Sequence, residues 1–154
     1  MMYRNILVAV DDSEKSKTAF RSAVETARAF NAKLTICHIK KNTIIYTPID
    51  PTGMLATTYI FKQDFSDYMD GVLDKFKEDA TKEGIKEIEV VQTYSSSPGL
   101  AIAEVIAPGY DVDLIVCGAS NKSGLDRFLL GSVSLDIVKH ATCDVNVIRN
   151  GGSH

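Results

Sequence analysis

Ile6–Leu7–Val8–Ala9–Val10 is an unbroken apolar run, preceded by Asn5 and closed by Asp11–Asp12. Continuous rather than alternating apolarity asks for burial on both faces, which is the condition of a central strand in a parallel sheet. The pattern then changes period. Ala19, Phe20, Ala23, Val24, Ala27 and Phe30 lie on one face at helical spacing, and Asp12 or Ser13 can cap that helix. Leu34–Ile39 is a second strand. Phe61, Phe65, Tyr68, Met69, Val72, Leu73, Phe76 and Ala80 make the strongest helical stripe, read as core, and Gly84 marks its end. Glu87–Ile88–Glu89–Val90 alternates, so it reads as an edge strand wet on one face. Ser97–Pro98 opens the next helix, with Ile102, Val105 and Ile106 as its inward face and Pro108–Gly109 as its end. Asp113–Gly118 is another buried strand. Val133, Ile137, Val138 and Ala141 mark a last helix, and Val145–Ile148 a last short strand.

Strands and helices therefore alternate through five strands, which predicts an α/β fold: one Rossmann-like domain over 1–149 with helices on both faces of a parallel sheet. Right-handed crossovers leave few topologies. With the first strand central the order is 3-2-1-4-5, and the chain reverses direction across the sheet once. Ligands of open α/β sheets bind in the crevice at such a switch point, outside the carboxyl ends of the strands. Asp11 and Gly118 stand at the two ends concerned.

Size and charge narrow the function classes. The 154 residues suit about one domain of ordinary size. A net charge of −3 gives no basic surface for nucleic acid or an anionic membrane. Cys37, Cys117 and Cys143 lie far apart in apolar stretches, without zinc spacing, and read as small core residues of a reducing compartment. No apolar run approaches the roughly 20 residues of a membrane span, and a cytoplasmic protein is expected. The segment 41–60 holds Pro48, Pro51 and Gly53 among Ile44, Ile45, Tyr46, Met54, Leu55 and Tyr59. It reads as a long functional or partly ordered loop rather than a clean element. The polar tail 150–154 is expected to be disordered.

The loop after the fourth strand carries the chemistry. Gly118 allows a sharp turn, and Gly131–Ser132 opens a helix whose first amides are unpaired and sit at the positive end of the dipole. Glycine admits a phosphate close to the backbone, and the hydroxyls of Ser132 and Ser134 add donors. The segment suits a polyphosphate cradle, although GxxxxGK[ST] is absent. A plain N-cap at Gly131–Ser132 and a plain turn at Gly118 explain the same residues.

On these motifs the chain resembles the universal stress proteins, in their nucleotide-binding branch, over nearly its whole length. Arg4–Ser13 is similar to that family's opening strand and Asp-x-Ser turn. The family's nucleotide motif is Gly, two residues, Gly, nine residues, Gly, then Ser or Thr. Here Gly118, two residues, Asn121, nine residues, Gly131, Ser132 keeps the spacing. Asn121 replaces the second glycine. Asparagine tolerates left-handed backbone better than most residues, while its side chain competes for the phosphates' space. ATP, AMP, another adenylate and an empty site stay open. The resemblance implies that Ala9, Val10 and Ile39 line the adenine slot, with the Ile39 backbone on the base edge. It implies that Asp11 holds the ribose hydroxyls or helps hold Mg²⁺ or Mn²⁺. Cys117, Gly118 and Asn121 would follow the ribose and phosphates, and Gly131, Ser132, Val133 and Ser134 would bind phosphate oxygens. It also implies a homodimer through Val145–Ile148, and Met54–Tyr59 is a second candidate surface.

Other readings compete less well. A response-regulator receiver would use Asp11–Asp12 for Mg²⁺, but needs an aspartate after the third strand, where the chain reads Gln92–Thr93–Tyr94–Ser95. It also needs a lysine after the fifth, where Ile148–Arg149–Asn150 stands. His38 in a strand and His140 in a last helical turn read as structural. Lys122 and Arg127 are either phosphate partners or ordinary loop charges. Three functions follow: a nucleotide-binding module acting by occupancy, a slow ATPase or phosphohydrolase, and an interaction protein without nucleotide.

Overall fold

Apolar runs flanked by helical stripes form the alternation that their periods require. In the computed structural model, residues 2–41, 44–48, 55–59, 66–119 and 130–149 are described. The elements run β1 (Asn5–Ala9), α1 (Glu14–Phe30), β2 (Lys33–Lys41), β3 (Ile44–Pro48), β4 (Leu55–Tyr59), α2 (Ser66–Lys82) and β5 (Ile88–Ser95). A helical stretch follows: α3 (Pro98–Ala101), a π turn (Ile102–Ile106) and α4 (Ala107–Gly109). Then come β6 (Leu114–Gly118), α5 (Ser132–His140) and β7 (Asp144–Ile148).

Five strands form one sheet in the order β5-β2-β1-β6-β7, every pair parallel. Counting only these five, the order is the expected 3-2-1-4-5. β1 is central, and Ile6, Leu7 and Val8 are wholly buried between two layers of helix. One face carries Ile6, Val8, Val10, Leu34, Ile36 and Val116 under α1 and α2. The other carries Leu7, Cys37, Ile115 and Cys117 with Ile102, Ile106, Ala107 and Ile137. β5 and β7 are the sheet's edges, as the alternation of β5 and the expected strand order require.

Four expectations change. The segment 41–60 supplies two strands, β3 and β4, paired antiparallel in a separate two-stranded sheet. Their β-branched and aromatic content suits extended backbone, and Pro48 sits at a strand end where no further ladder donor is needed. Met54 lies outside the described residues. Val105 faces solvent at 68% exposure. Ala103 and Ala107 take the inward positions beside Ile102 and Ile106, and the wide turn closed by the Ala107 amide on the Ile102 carbonyl leaves Val105 outside. Val138 is also exposed, because the buried line of α5 runs through Ser134 and Ile137. Tyr68 is exposed while Met69, Leu73, Phe76 and Ala80 of its stripe are buried. Phe61, Phe65 and the tail 150–154 lie outside the described residues. Gly84, with φ of 91°, ends α2 as expected, and the Ile85 amide returns to the Ala80 carbonyl. No helix among the described residues is long and apolar enough to cross a membrane.

Candidate functional site

The switch point lies between β1 and β6, whose neighbours run off in opposite directions across the sheet. At the end of β1 the Val10 amide donates to the Cys37 carbonyl at 2.8 Å, and His38 Nδ1 meets the Val10 carbonyl at 2.8 Å. Backbone and side chain of β2 thus pin the point where the chain leaves the sheet. In a parallel ladder the peptide groups of alternate residues face the same neighbour. Cys37 faces β1, so Ile39 turns its amide and carbonyl to that same side, beyond the last residue of β1.

Asp11 begins the departing turn and is exposed. Its Oδ1 accepts from the Ser13 amide at 2.8 Å and also from the Ser13 hydroxyl. Its own amide donates to Ser16 Oγ at 2.7 Å, and the Ser16 amide donates to Ser13 Oγ at 3.2 Å. Ser13, not Asp12, is therefore the N-cap of α1. Asp11 is held by its amide and by Oδ1, which leaves Oδ2 as the oxygen these serines do not use. Among the described residues no three His, Cys, Asp or Glu side chains converge as a metal site.

On the strand beside β1, Gly118 ends β6. Its backbone is not left-handed, and the Ala119 amide beyond it still bonds to the Ile148 carbonyl at 2.9 Å, so Gly118 continues the strand. Among the described residues, a Cβ there would meet only Lys15, its carbonyl oxygen at an ordinary 3.5 Å and its Cβ at 3.8 Å. Among the described residues, packing does not itself demand glycine at 118. Gly131 is the N-cap of α5 and offers no capping side chain. The first intrahelical bond comes from Leu135 N–H to the Gly131 carbonyl, so the amides of Ser132, Val133 and Ser134 start the helix without helical acceptors. No acidic residue stands in the first turn of α5, and Lys139 and His140 occupy its last. The positive end of the dipole is uncompensated by the helix's own side chains. Ser134 is buried, and its hydroxyl donates to the Gly131 carbonyl at 3.0 Å. That hydroxyl is already used inside the first turn, and Ser134 can offer only its amide.

Ala9, Ile39, Cys117 and Val133 come from four elements and pack on one cluster, so the structure brings these candidates together. Val10 is on the opposite face, packed under α1 and α2. Burial pushes the Cys117 thiol up to about 11 and that of Cys37 to about 12, so both are neutral side chains and not nucleophiles. His140 is within 3.4 Å of Glu104 at the far end of α5. Asn121, Lys122 and Arg127 lie outside the described residues. A separate hollow of about 980 Å³ opens between α1 and α2 over Phe20, Val24, Val72 and Phe76. It touches Asp11 and Asp12 but neither Gly118 nor the start of α5. Sequence reasoning passed over Ser16, whose only outward signal is its place three residues after a capping serine.

Residues 2–149 match the universal stress protein family. A universal stress protein of Staphylococcus saprophyticus is 35% identical over 151 residues, covering 97% of this chain and 85% of that protein. Among solved structures, the universal stress protein UspA of Lactobacillus plantarum superposes with a TM-score of 0.80 at 27% identity, over 97% of this chain and 99% of that one. A universal stress protein of Archaeoglobus fulgidus in complex with dAMP gives a TM-score of 0.66 at 25% identity, over 96% and 99%. The chain belongs to the universal stress protein family.

Proposed function

We propose that this protein binds an adenine nucleotide, ATP in the first instance, in the crevice between the carboxyl ends of β1 and β6, and acts in the stress response through occupancy of that site. The observation that carries the reading is the start of α5 without helical acceptors, whose Val133 packs on the same cluster as Ala9, Ile39 and Cys117 at the strand ends. The first turn of α5 offers three amides and a dipole end that the helix's own side chains do not compensate, and β6 ends in a residue without a side chain. The base lies between Ala9 and Ile39, with the Ile39 peptide group on its edge. Asp11 takes the ribose hydroxyls through Oδ2, and the phosphates run past Cys117 and Gly118 to the amides of Ser132, Val133 and Ser134. The relative bound to dAMP supports an adenylate as the ligand class. A single carboxylate with phosphate oxygens is a donor set that Mg²⁺ accepts, so Asp11 is the residue that would hold the ion if one accompanies the nucleotide.

The reading is one of binding and not of turnover, because neither His38, tied to the Val10 carbonyl, nor His140, at the far end of α5, stands free beside the phosphate path. We place the protein in the cytoplasm, as a homodimer joined along the edge strand β7. Sedimentation at the monomer mass at tens of micromolar would remove the dimer from the proposal. The nucleotide is tested by mass spectrometry of the denatured purified protein and by calorimetric titration with ATP. A co-purified adenylate or saturable ATP binding, weakened by Gly131→Val, supports it. Failure of both in folded protein rejects it. Asn121→Gly is expected to keep or strengthen binding, and weakening would make Asn121 a ligand.

A further inference from the structure

The start of α5 does not rest on side chains alone. It rests on the backbone of α3 at Gly99. That residue is buried, and a Cβ built on it would lie 2.7 Å from the Val133 carbonyl oxygen, 2.7 Å from Asp136 Cβ and 3.3 Å from Val133 Cα. Two of these atoms are backbone and the third is the fixed root of a side chain, so none can swing away. Real carbon contacts fall at about 3.5 Å or more. Any side chain at 99 therefore has to displace the first turn of α5, or α3 itself, by several tenths of an ångström. The opposite side of α5 has no room to absorb the shift without cost. Ser134 and Ile137 are essentially wholly buried, and Ile137 is set among Leu7, Cys37 and Ile115.

Gly99 thus differs from Gly118. Among the described residues, a Cβ at 99 would meet other atoms at 2.7 Å, and one at 118 would meet nothing closer than 3.5 Å. Val133, the residue Gly99 touches, supplies one of the three amides proposed to hold phosphate. We infer that Gly99 is a positioning residue of the phosphate-binding turn: its lack of a side chain sets where the Ser132, Val133 and Ser134 amides point. The inference rests on the proposed nucleotide site and adds a specific dependence to it. Contacts to the phosphate tail depend on residue 99, and contacts to base and ribose at Ala9, Asp11 and Ile39 do not. Binding groups need to be held to within about 0.5 Å, so a displacement of this size is enough to matter.

The test compares ATP with adenosine on the full chain, by NMR titration of the wild type and of Gly99→Ala. In the variant the ATP affinity is expected to fall by about tenfold, the equivalent of one well-made amide–phosphate bond. Adenosine should bind within twofold of wild type, so the ATP-to-adenosine ratio falls. General loosening of the fold lowers thermal stability without moving that ratio among folded molecules. An unchanged ratio in folded Gly99→Ala overturns the inference and leaves the nucleotide site standing. Wild type that binds neither compound overturns both. Because the variant carries a hard contact, the unaltered protein supplies a second reading. Saturation with ATP should shift the Gly99 amide resonance, and saturation with adenosine should not. A Gly99 amide that ATP leaves unmoved overturns the inference whether or not the variant folds.

Discussion

Replacing Ser13 by Ala removes one hydroxyl that does two things at once. It accepts from the Ser16 amide as the cap of α1, and it donates to Asp11 Oδ1. The cap alone is worth about 1 kcal/mol, within a range of roughly 0.5–2. In a chain of this size that lowers the melting temperature by about 2–4 °C. The Asp11 carboxylate keeps the Ser13 amide at 2.8 Å but loses its hydroxyl partner, so it is less firmly oriented. Urea denaturation of wild type, Ser13→Ala, Asp11→Ala and the double variant separates the two effects. The coupling between the residues should be about 0.5 kcal/mol or more, since they share a hydrogen bond. Ser13→Thr keeps both functions of the hydroxyl and should return most of the loss. ATP affinity should fall in Ser13→Ala and recover in Ser13→Thr. Additive single losses, or a Ser13→Ala cost below about 0.3 kcal/mol, would refute the account of a serine that both caps the helix and sets the carboxylate.

Two further outcomes are expected. Ile106→Ala should cost about 2–4 kcal/mol in urea denaturation, as a large buried side chain does, while Val105→Lys should stay within about 0.5 kcal/mol because Val105 is exposed. Reversal of the two would restore the inward reading of Val105. Alkaline pH should destabilise the fold through Cys37 and Cys117. Burial raises both thiols above the ordinary 9.0, to about 12 and about 11, so between those limits the unfolded chain has lost protons that the folded chain keeps. Stability is then intact below about pH 9 and falls as pH rises, by at most about 1.4 kcal/mol per unit for each thiol. Cys37→Ala should flatten that slope in denaturation curves at pH 8, 9 and 10, and an unchanged slope would count against it.

The sheet and its switch point were legible in the chain because burial on two faces leaves a continuous apolar run and burial on one leaves a periodic stripe. Ile6–Val10 and Leu114–Cys117 could be nothing but central strands once the helices between them were read. β3 and β4 were harder, because a prolyl and glycyl segment interrupts short β-branched runs and no alternation announces the pairing. Val105 and Val138 misled for a related reason. Hydropathy favours valine over alanine and serine, but the wide turn at Ile102–Ile106 leaves Val105 outside, and the buried line of α5 runs through Ser134 and Ile137.

Composition and order of residues thus determined, by themselves, the parallel sheet, the strand order and the two strand ends that bound the crevice, since these follow from local periodicity and the handedness of connections. Tertiary structure alone decided which atoms of those residues are free. Ser134 has its hydroxyl tied to the Gly131 carbonyl, Asp11 has one oxygen held by Ser13, and Gly99 carries the start of α5 from thirty-four residues before Val133. Such facts depend on distances of a few tenths of an ångström between segments remote in sequence, and no local pattern encodes them.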